Sequence, residues 1–196
     1  MQNPAAATIV LASSSAYRKQ LLDRVLNDYE TVSPGIDESA DIDDPAQLVS
    51  SLAREKAEAV SVAHREALII GADQLAVHDG QVLGKPGSHR KAVEQLLQAS
   101  GKSLQFLTAV CILEPIGRRR FEYVDTTIVR FRSIDQRLAE AYLKHDEPYD
   151  CAGSFKIEGA GVVLFESVTT DDPTALIGLP MIWVAGRLLE LGYLIP

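Results

Sequence analysis

Residues 8–22 read Thr-Ile-Val-Leu-Ala-Ser-Ser-Ser-Ala-Tyr-Arg-Lys-Gln-Leu-Leu, and this stretch decides the fold class. Residues 8–12 form a short β-rich run. Helical spacing then takes over across 14–26, with Ser13 or Ser14 available as the cap. Arg18 stands three, four and seven residues before Leu21, Leu22 and Val25, so all four share one helix face. A strand that runs directly into a capped helix opens an α/β sheet.

The alternation continues along the chain. Residues 29–32 read as a second strand, and an acidic loop, 35–44, leads to a well-marked helix start. Asp44 is the expected N-cap, Pro45 sits at the first helical position, and Gln47 completes a capping-box pattern for a helix over 45–64. The apolar run 67–72 reads as a buried strand. Residues 75–77 and 81–83 flank His78-Asp79-Gly80, a hairpin signal. A helix over 88–99 presents Ala92, Val93, Leu96 and Leu97. Two long β runs, 104–113 and 122–131, are joined at Pro115-Ile116-Gly117. Ser133 and Gln136 mark another helix, 134–144, followed by a strand at 162–165 and a closing helix over 180–191. Repeats, low-complexity stretches and linkers are absent from the sequence, so residues 1–196 are expected to form a single domain.

Two basic residues break the amphipathic pattern. On the helix over 45–64 the apolar stripe is Val49, Leu52, Ala53 and Val60, and Lys56 lies on it, four residues from Leu52 and from Val60. Arg18 interrupts the first helix in the same way. A cation that faces inward must be paired or must line a polar cleft, because burying it alone costs several kcal/mol. Two such helices, with Asp73 at the end of an apolar strand, point to a cleft built for a polyanion.

The net charge of -8 argues against an open nucleic-acid surface, since duplex binders carry a basic face. It leaves room for a nucleotide in a small, locally basic pocket. The start of the chain lacks the basic, apolar and small-residue sequence of a secretory signal, and no apolar run approaches the roughly 18–20 residues that span a bilayer. Cys111 and Cys151 lack metal-ligand spacing and read as reduced thiols of a cytoplasmic protein.

The chemistry-bearing residues gather at element ends, where open α/β sheets bind ligands. Ser13 to Arg18 joins a strand to a helix and makes a plausible phosphate cradle, without the Gly and Lys pattern of a Walker loop. Asp73, in Gly71-Ala72-Asp73-Gln74, either caps a turn or serves as a general base or metal ligand. Asp37 and Glu38 suit a Mg²⁺ site only beside a phosphate. Gly84-Lys85-Pro86 holds a lysine between a flexible and a rigid residue. The stretch 151–159, Cys-Ala-Gly-Ser-Phe-Lys-Ile-Glu-Gly, reads as a polar surface loop. Arg118-Arg119-Arg120 reads as a solvated hairpin tip, and the four histidines form no ligand spacing.

Taken in order, LASSSAYRKQLL, IDE (36–38), REKA (54–57), GADQ (71–74), GKP (84–86), CAGSFKIEG and IGLP (177–180) resemble the Maf family of nucleoside triphosphate pyrophosphatases over nearly the whole chain. Within it, Tyr17, Gln74 and Glu158 are similar to the specificity positions of the branch that cleaves 7-methyl-GTP to 7-methyl-GMP and pyrophosphate. The dTTP/UTP branch usually carries Arg, Thr and Gln there. Tyr17 keeps the aromatic ring of the more usual Pro-Trp pair.

The resemblance implies a mixed central sheet with flanking helices, two lobes around a cleft like the inosine triphosphate pyrophosphatases, and often a homodimer. It implies Asp73 as proton acceptor and a divalent metal, Mg²⁺ or Mn²⁺, for which Glu38 is the expected ligand. Arg18, Lys56 and Lys85 would neutralise phosphate charge and Ser13 would bind phosphate. An ionised Glu158 would accept from the N1–H and N2–H₂ edge of guanine, and Tyr17 would stack on the methylated, cationic base. A nucleotide-binding regulator of septum formation with little catalysis is the non-enzyme alternative. An intact Asp73 beside inward cations favours an enzyme, because a binder needs no base.

Overall fold

The computed structural model describes residues 7–38, 42–115 and 119–195. Strands β1 (Ile9–Ala12), β2 (Glu30–Val32), β3 (Leu68–His78), β4 (Gln81–Leu83), β5 (Ser103–Leu113), β6 (Arg120–Phe131) and β7 (Phe165–Thr169) alternate with five helices. The helices are α1 (Ala16–Leu22), α2 (Pro45–Ser61), α3 (His89–Ala99), α4 (Gln136–Asp146) and α5 (Met181–Glu190). The strand order is β2-β1-β3-β5-β6-β7, with β4 on β3. β1 pairs in parallel with both β2 and β3, whereas β3–β4 and β6–β7 are antiparallel. The sheet is therefore mixed, as expected for this α/β protein.

The chain divides into two compact units, one of residues 1–73, 108–125 and 172–196, the other of 74–107 and 126–171. In the first, alternation in β1 and β3 turns Ile9, Leu11, Leu68, Ile70 and Ala72 into a core with Leu21 and Leu22 of α1 and Met181, Val184 and Leu188 of α5. The intervening β3 residues face the other way. There Gly71 lies against α2 so closely that a Cβ would stand 2.3 Å from the Ala53 carbonyl oxygen and 2.7 Å from the Ala57 nitrogen. Asp73, two residues further on, shares that face.

The second unit is built around four phenylalanines. Phe155 meets Phe106, Phe131 and Phe165 edge-on, with ring centroids 4.7 to 5.8 Å apart. Helices α3 and α4 pack together, and Leu96 on α3 and Ala139 and Leu143 on α4 are buried. The β3–β4 hairpin turns through Asp79 and Gly80, with φ of 50° and 77°, the two positive values that a type I′ turn demands.

Several local expectations change. Ser15, not Ser13 or Ser14, caps α1, which stops at Leu22 rather than running to 26. The runs 67–72 and 75–77 are one eleven-residue strand, so Asp73 lies inside it and does not cap a turn. Leu97 is exposed while Ala99 is buried on α3. Asp135, not Ser133, caps α4. Residues 160–164 form a 3₁₀ turn and the strand begins only at Phe165. The loop 151–159 is anchored, with Gly153, Ser154 and Phe155 all buried. Ile116, Gly117 and Arg118, expected in a turn, lie outside the described residues. So do residues 39–41 of the acidic loop and 1–6 at the start.

Candidate active site

Helix α2 owes its direction to its start. Asp44 accepts from the Ala46 N–H at 3.0 Å and Pro45 fits the first turn, as the sequence predicts. The helix buries Val49, Leu52, Ala53, Ala57 and Val60, and with them Lys56. The bare face of Gly71 lets α2 approach β3, which sets Lys56 beside Asp73. Lys56 Nζ lies 2.6 Å from Asp73 Oδ1 and 2.6 Å from Glu38 Oε1. The Lys56 and Asp73 side chains are only 6% and 10% exposed, whereas Glu38 is 59% exposed. The inward cation is thus paired, and its pairing joins an open loop to a buried strand.

Arg18 reaches the same group from α1. Its Nε donates to the Gly178 carbonyl at 2.9 Å, and its Nη1 to Ser13 Oγ at 3.4 Å. Ser13 Oγ also accepts from the Ser15 N–H at 3.1 Å, and Ser15 Oγ caps the Arg18 N–H. Burial lowers the guanidinium pKa from its ordinary value, and the charges of Asp73 and Glu38 raise it in opposition. Desolvation is the larger effect, and an added negative charge would oppose it as Asp73 and Glu38 do.

Gly178 is itself held in place by residues to which the sequence drew no attention. Buried Asp172 accepts from the Thr174 and Ile182 N–H groups at 2.9 and 2.6 Å. Thr174 Oγ1 accepts from the Met181 N–H at 2.8 Å, and Thr108 Oγ1 donates to the Ala175 carbonyl at 2.9 Å. An Asp two residues before a Thr, ahead of a helix, is a turn signal. What this turn presents, a carbonyl aimed at Arg18, is set 160 residues away in sequence.

The first unit therefore gathers Ser13, Arg18, Glu38, Lys56 and Asp73, five of the nine expected site residues, and also holds half-buried Tyr17 on α1. Gln74, Lys85 and Glu158 belong to the second unit. There Lys85 is exposed on a loop pinned at both ends, Gly84 to Gln95 and Gly87 to Tyr149. Exposed Glu158 sits on a tight turn that the Asp146 side chain ties down through the Ala160 N–H at 2.9 Å. Lys156 Nζ donates to the Asp146 carbonyl at 3.0 Å. Among the described residues no three His, Cys, Asp or Glu side chains cluster as a metal site, and no helix is long and apolar enough to cross a membrane.

The fold has a counterpart among solved structures. The Staphylococcus aureus Ham1 protein aligns with 95% of this chain and 100% of its own at a TM-score of 0.54 and 15% identity, which shows a common fold. The fold and the group of two cations and two carboxylates thus define an α/β protein equipped for an anionic ligand. The Maf-like protein family matches residues 8–191, and the chain belongs to that family. It is 49% identical over 191 residues to a 7-methyl-GTP pyrophosphatase of Pseudomonas syringae, covering 96% of this chain and 99% of the relative. Identity to the 7-methyl-GTP pyrophosphatase of Pseudomonas aeruginosa is 45% over 189 residues, covering 96% and 98%.

Proposed function

We propose that this protein hydrolyses the α–β anhydride of 7-methyl-GTP, giving 7-methyl-GMP and pyrophosphate, as a single functional domain of the cytoplasm. The observation that carries the proposal is buried Asp73 bound through one oxygen to Lys56 within reach of the Arg18 charge. The activity for which the relatives are named and the family support the same chemistry.

Cleavage of this anhydride requires a positioned water and neutralisation of charge on the leaving pyrophosphate. Lys56 fixes Asp73 through Oδ1, so Oδ2 is the oxygen that takes the proton from water. Arg18 presents a planar fork suited to phosphate oxygens, and the charge of a bound phosphate offsets the cost of its burial. Ser13 uses its lone pairs on Ser15 and Arg18, which leaves its own hydroxyl proton for a phosphate oxygen. Lys85 adds a second cation for the leaving group. Glu158 accepts from the guanine edge, Tyr17 stacks on the methylated base, and Gln74 completes base recognition.

The donor chemistry fits Mg²⁺ or Mn²⁺. Glu38 and Asp73 each bring a hard oxygen to within 2.6 Å of one point, the Lys56 ammonium. Two carboxylates hold such an ion once phosphate oxygens and waters complete its shell. Held by Glu38 and Asp73 beside the Lys56 ammonium, the ion would spread charge on the phosphates. The homodimer remains part of the same proposal.

Pyrophosphate release measured with 7-methyl-GTP, UTP and dTTP tests the assignment. The expected order places 7-methyl-GTP first, and faster turnover of UTP or dTTP would overturn it. Asp73→Asn keeps an acceptor for Lys56 but loses the base. Its kcat should fall by about 10²–10⁴-fold with KM little changed, and wild-type turnover would remove Asp73 from the mechanism.

A further inference from the structure

The second unit holds a side chain that bridges the two loops carrying Lys85 and Glu158. Gln95, on α3, donates through Nε2 to the Gly84 carbonyl at 2.9 Å, and its Oε1 accepts from the Ser154 hydroxyl. The amide has only one workable orientation, because a carbonyl accepts and never donates. Reversing it would set Oε1 against the Gly84 oxygen.

Each end of this bridge is rigid. The Lys85 loop is held at its far side by the Gly87 N–H on the Tyr149 carbonyl at 2.9 Å. Ser154 is fully buried with φ of 61°, a left-handed conformation that is unfavourable for a non-glycine residue. Gly153 before it has φ of 75°, and a Cβ there would meet Phe106 at 2.9 Å. Phe155 after it is locked among Phe106, Phe131 and Phe165. A strained, buried serine whose hydroxyl goes to one side-chain amide is a fixed reference point, four residues before Glu158.

We propose that Gln95 is a positioning residue, which sets the Lys85 loop from Ser154 so that phosphate charge and base selection are registered by one rigid element. Gln95 touches neither reacting atoms nor base in this scheme and acts through Lys85. The inference rests on the role given to Lys85 above.

Gln95→Glu separates the two bonds. It keeps the acceptor for Ser154 but places an oxygen against the Gly84 carbonyl, so the Lys85 loop is released. Steady-state kinetics on 7-methyl-GTP should be measured for Gln95→Glu, Lys85→Ala and the double variant, with a thermal melt of each. Gln95→Glu is expected to lower kcat/KM by about 10–100-fold, the scale of a small misplacement. In the Lys85→Ala background the same change should cost less than about twofold, because the group it positions is gone.

An equal loss in both backgrounds, or no loss in the wild-type background, overturns the positioning role. Wild-type kinetics for Lys85→Ala instead overturn the role of Lys85 and the inference with it. Should Gln95→Glu fail to fold, Gln95→Leu, which is close in shape and removes both bonds, takes its place in the same cycle. Hydrogen exchange gives a readout independent of activity. Faster exchange of the Lys85 and Gly87 amides in the Gln95 variant is expected, and unchanged exchange there overturns the proposal.

Discussion

Lys56 is the residue at which charge and packing are hardest to separate. As a lining of an open phosphate cleft, its replacement by methionine should leave stability intact or slightly raised, since the aliphatic stem still packs. The structure instead binds it to a carboxylate that is only 10% exposed. Removing one partner of a buried pair typically costs about 3–5 kcal/mol. The charge of Arg18 on Asp73 recovers part of this, so Lys56→Met should lose about 3 kcal/mol, the low end of that range, and also lose activity. Urea denaturation checks the first, and an unchanged midpoint would show that the pair carries no net stability. Cys111 makes a second prediction at this scale. Its thiol is pushed up to about 12, by burial first and then by the charge of Glu122. A raised pKa means that the folded state keeps a proton which the unfolded chain releases from about pH 9 upward. Its contribution is therefore complete below pH 9 and is lost as pH rises toward 12, with a slope of at most about 1.4 kcal/mol per pH unit. Burial raises Tyr142 and Tyr193 in the same sense. Stability measured from pH 8 to 11 should fall more steeply in the wild type than in Cys111→Ala. Equal slopes would show that this thiol does not couple to folding.

At the scale of elements, the contact between α2 and β3 creates the site, and Gly71 permits it. A methyl group at Gly71 would stand 2.3 Å from a backbone oxygen of α2, a clash that the backbone itself must relieve. Gly71→Ala should cost about 1–3 kcal/mol and move Lys56 off Asp73, so kcat should fall in the fraction that remains folded. Denaturation with active-fraction kinetics tests this, and wild-type values in both would mean that α2 shifts without disturbing the pair. The sequence discloses part of this arrangement. A 3.6-residue period with a cation on the apolar stripe announces an inward Lys56, because geometry alone fixes the face. It does not disclose that β3 continues through Asp73 and Gln74, since two polar residues interrupt the apolar run. The strand persists because the carboxylate finds a buried partner on a helix. The stretch 160–164 fails in the opposite way. Its β-branched valines suggest a strand, yet the Asp146 carboxylate and the Lys156 carbonyl, 2.3 Å from where a Gly161 Cβ would stand, curl it into a turn. The links from Gln95 to Gly84 and Ser154, or from Arg18 to Gly178, leave no local pattern, because side-chain partners far apart in sequence are chosen only once the fold exists.

The whole molecule carries a net charge of -8, and its substrate is a polyanion, so local structure must overcome the general field. Two cations balance two carboxylates in the first unit, and both carboxylates already have a basic neighbour within the protein. This has a consequence for folding. A structural metal site leaves its ligands uncompensated without the ion, and such proteins unfold on chelation. Here the Lys56 ammonium supplies a positive partner to both Glu38 and Asp73, while the core rests on Ile9, Leu11, Leu68, Ile70, Val184, Leu188 and their neighbours. Chelation should therefore abolish pyrophosphate release and leave the fold untouched. With EDTA in excess, the far-ultraviolet circular dichroism and the melting temperature should match those of the untreated protein, and turnover should return on adding Mg²⁺ or Mn²⁺. Glu38→Gln should raise the Mg²⁺ concentration needed for half-maximal rate by about 10-fold or more, the scale of a lost charge-assisted oxygen contact. The melt should stay close to that of wild type, because Glu38 is the exposed member of the group. Turnover that persists in EDTA would remove the metal from the proposed chemistry. A melting temperature that collapses on chelation would make Glu38 and Asp73 ligands of a structural ion, with Lys56 as the group that ion displaces.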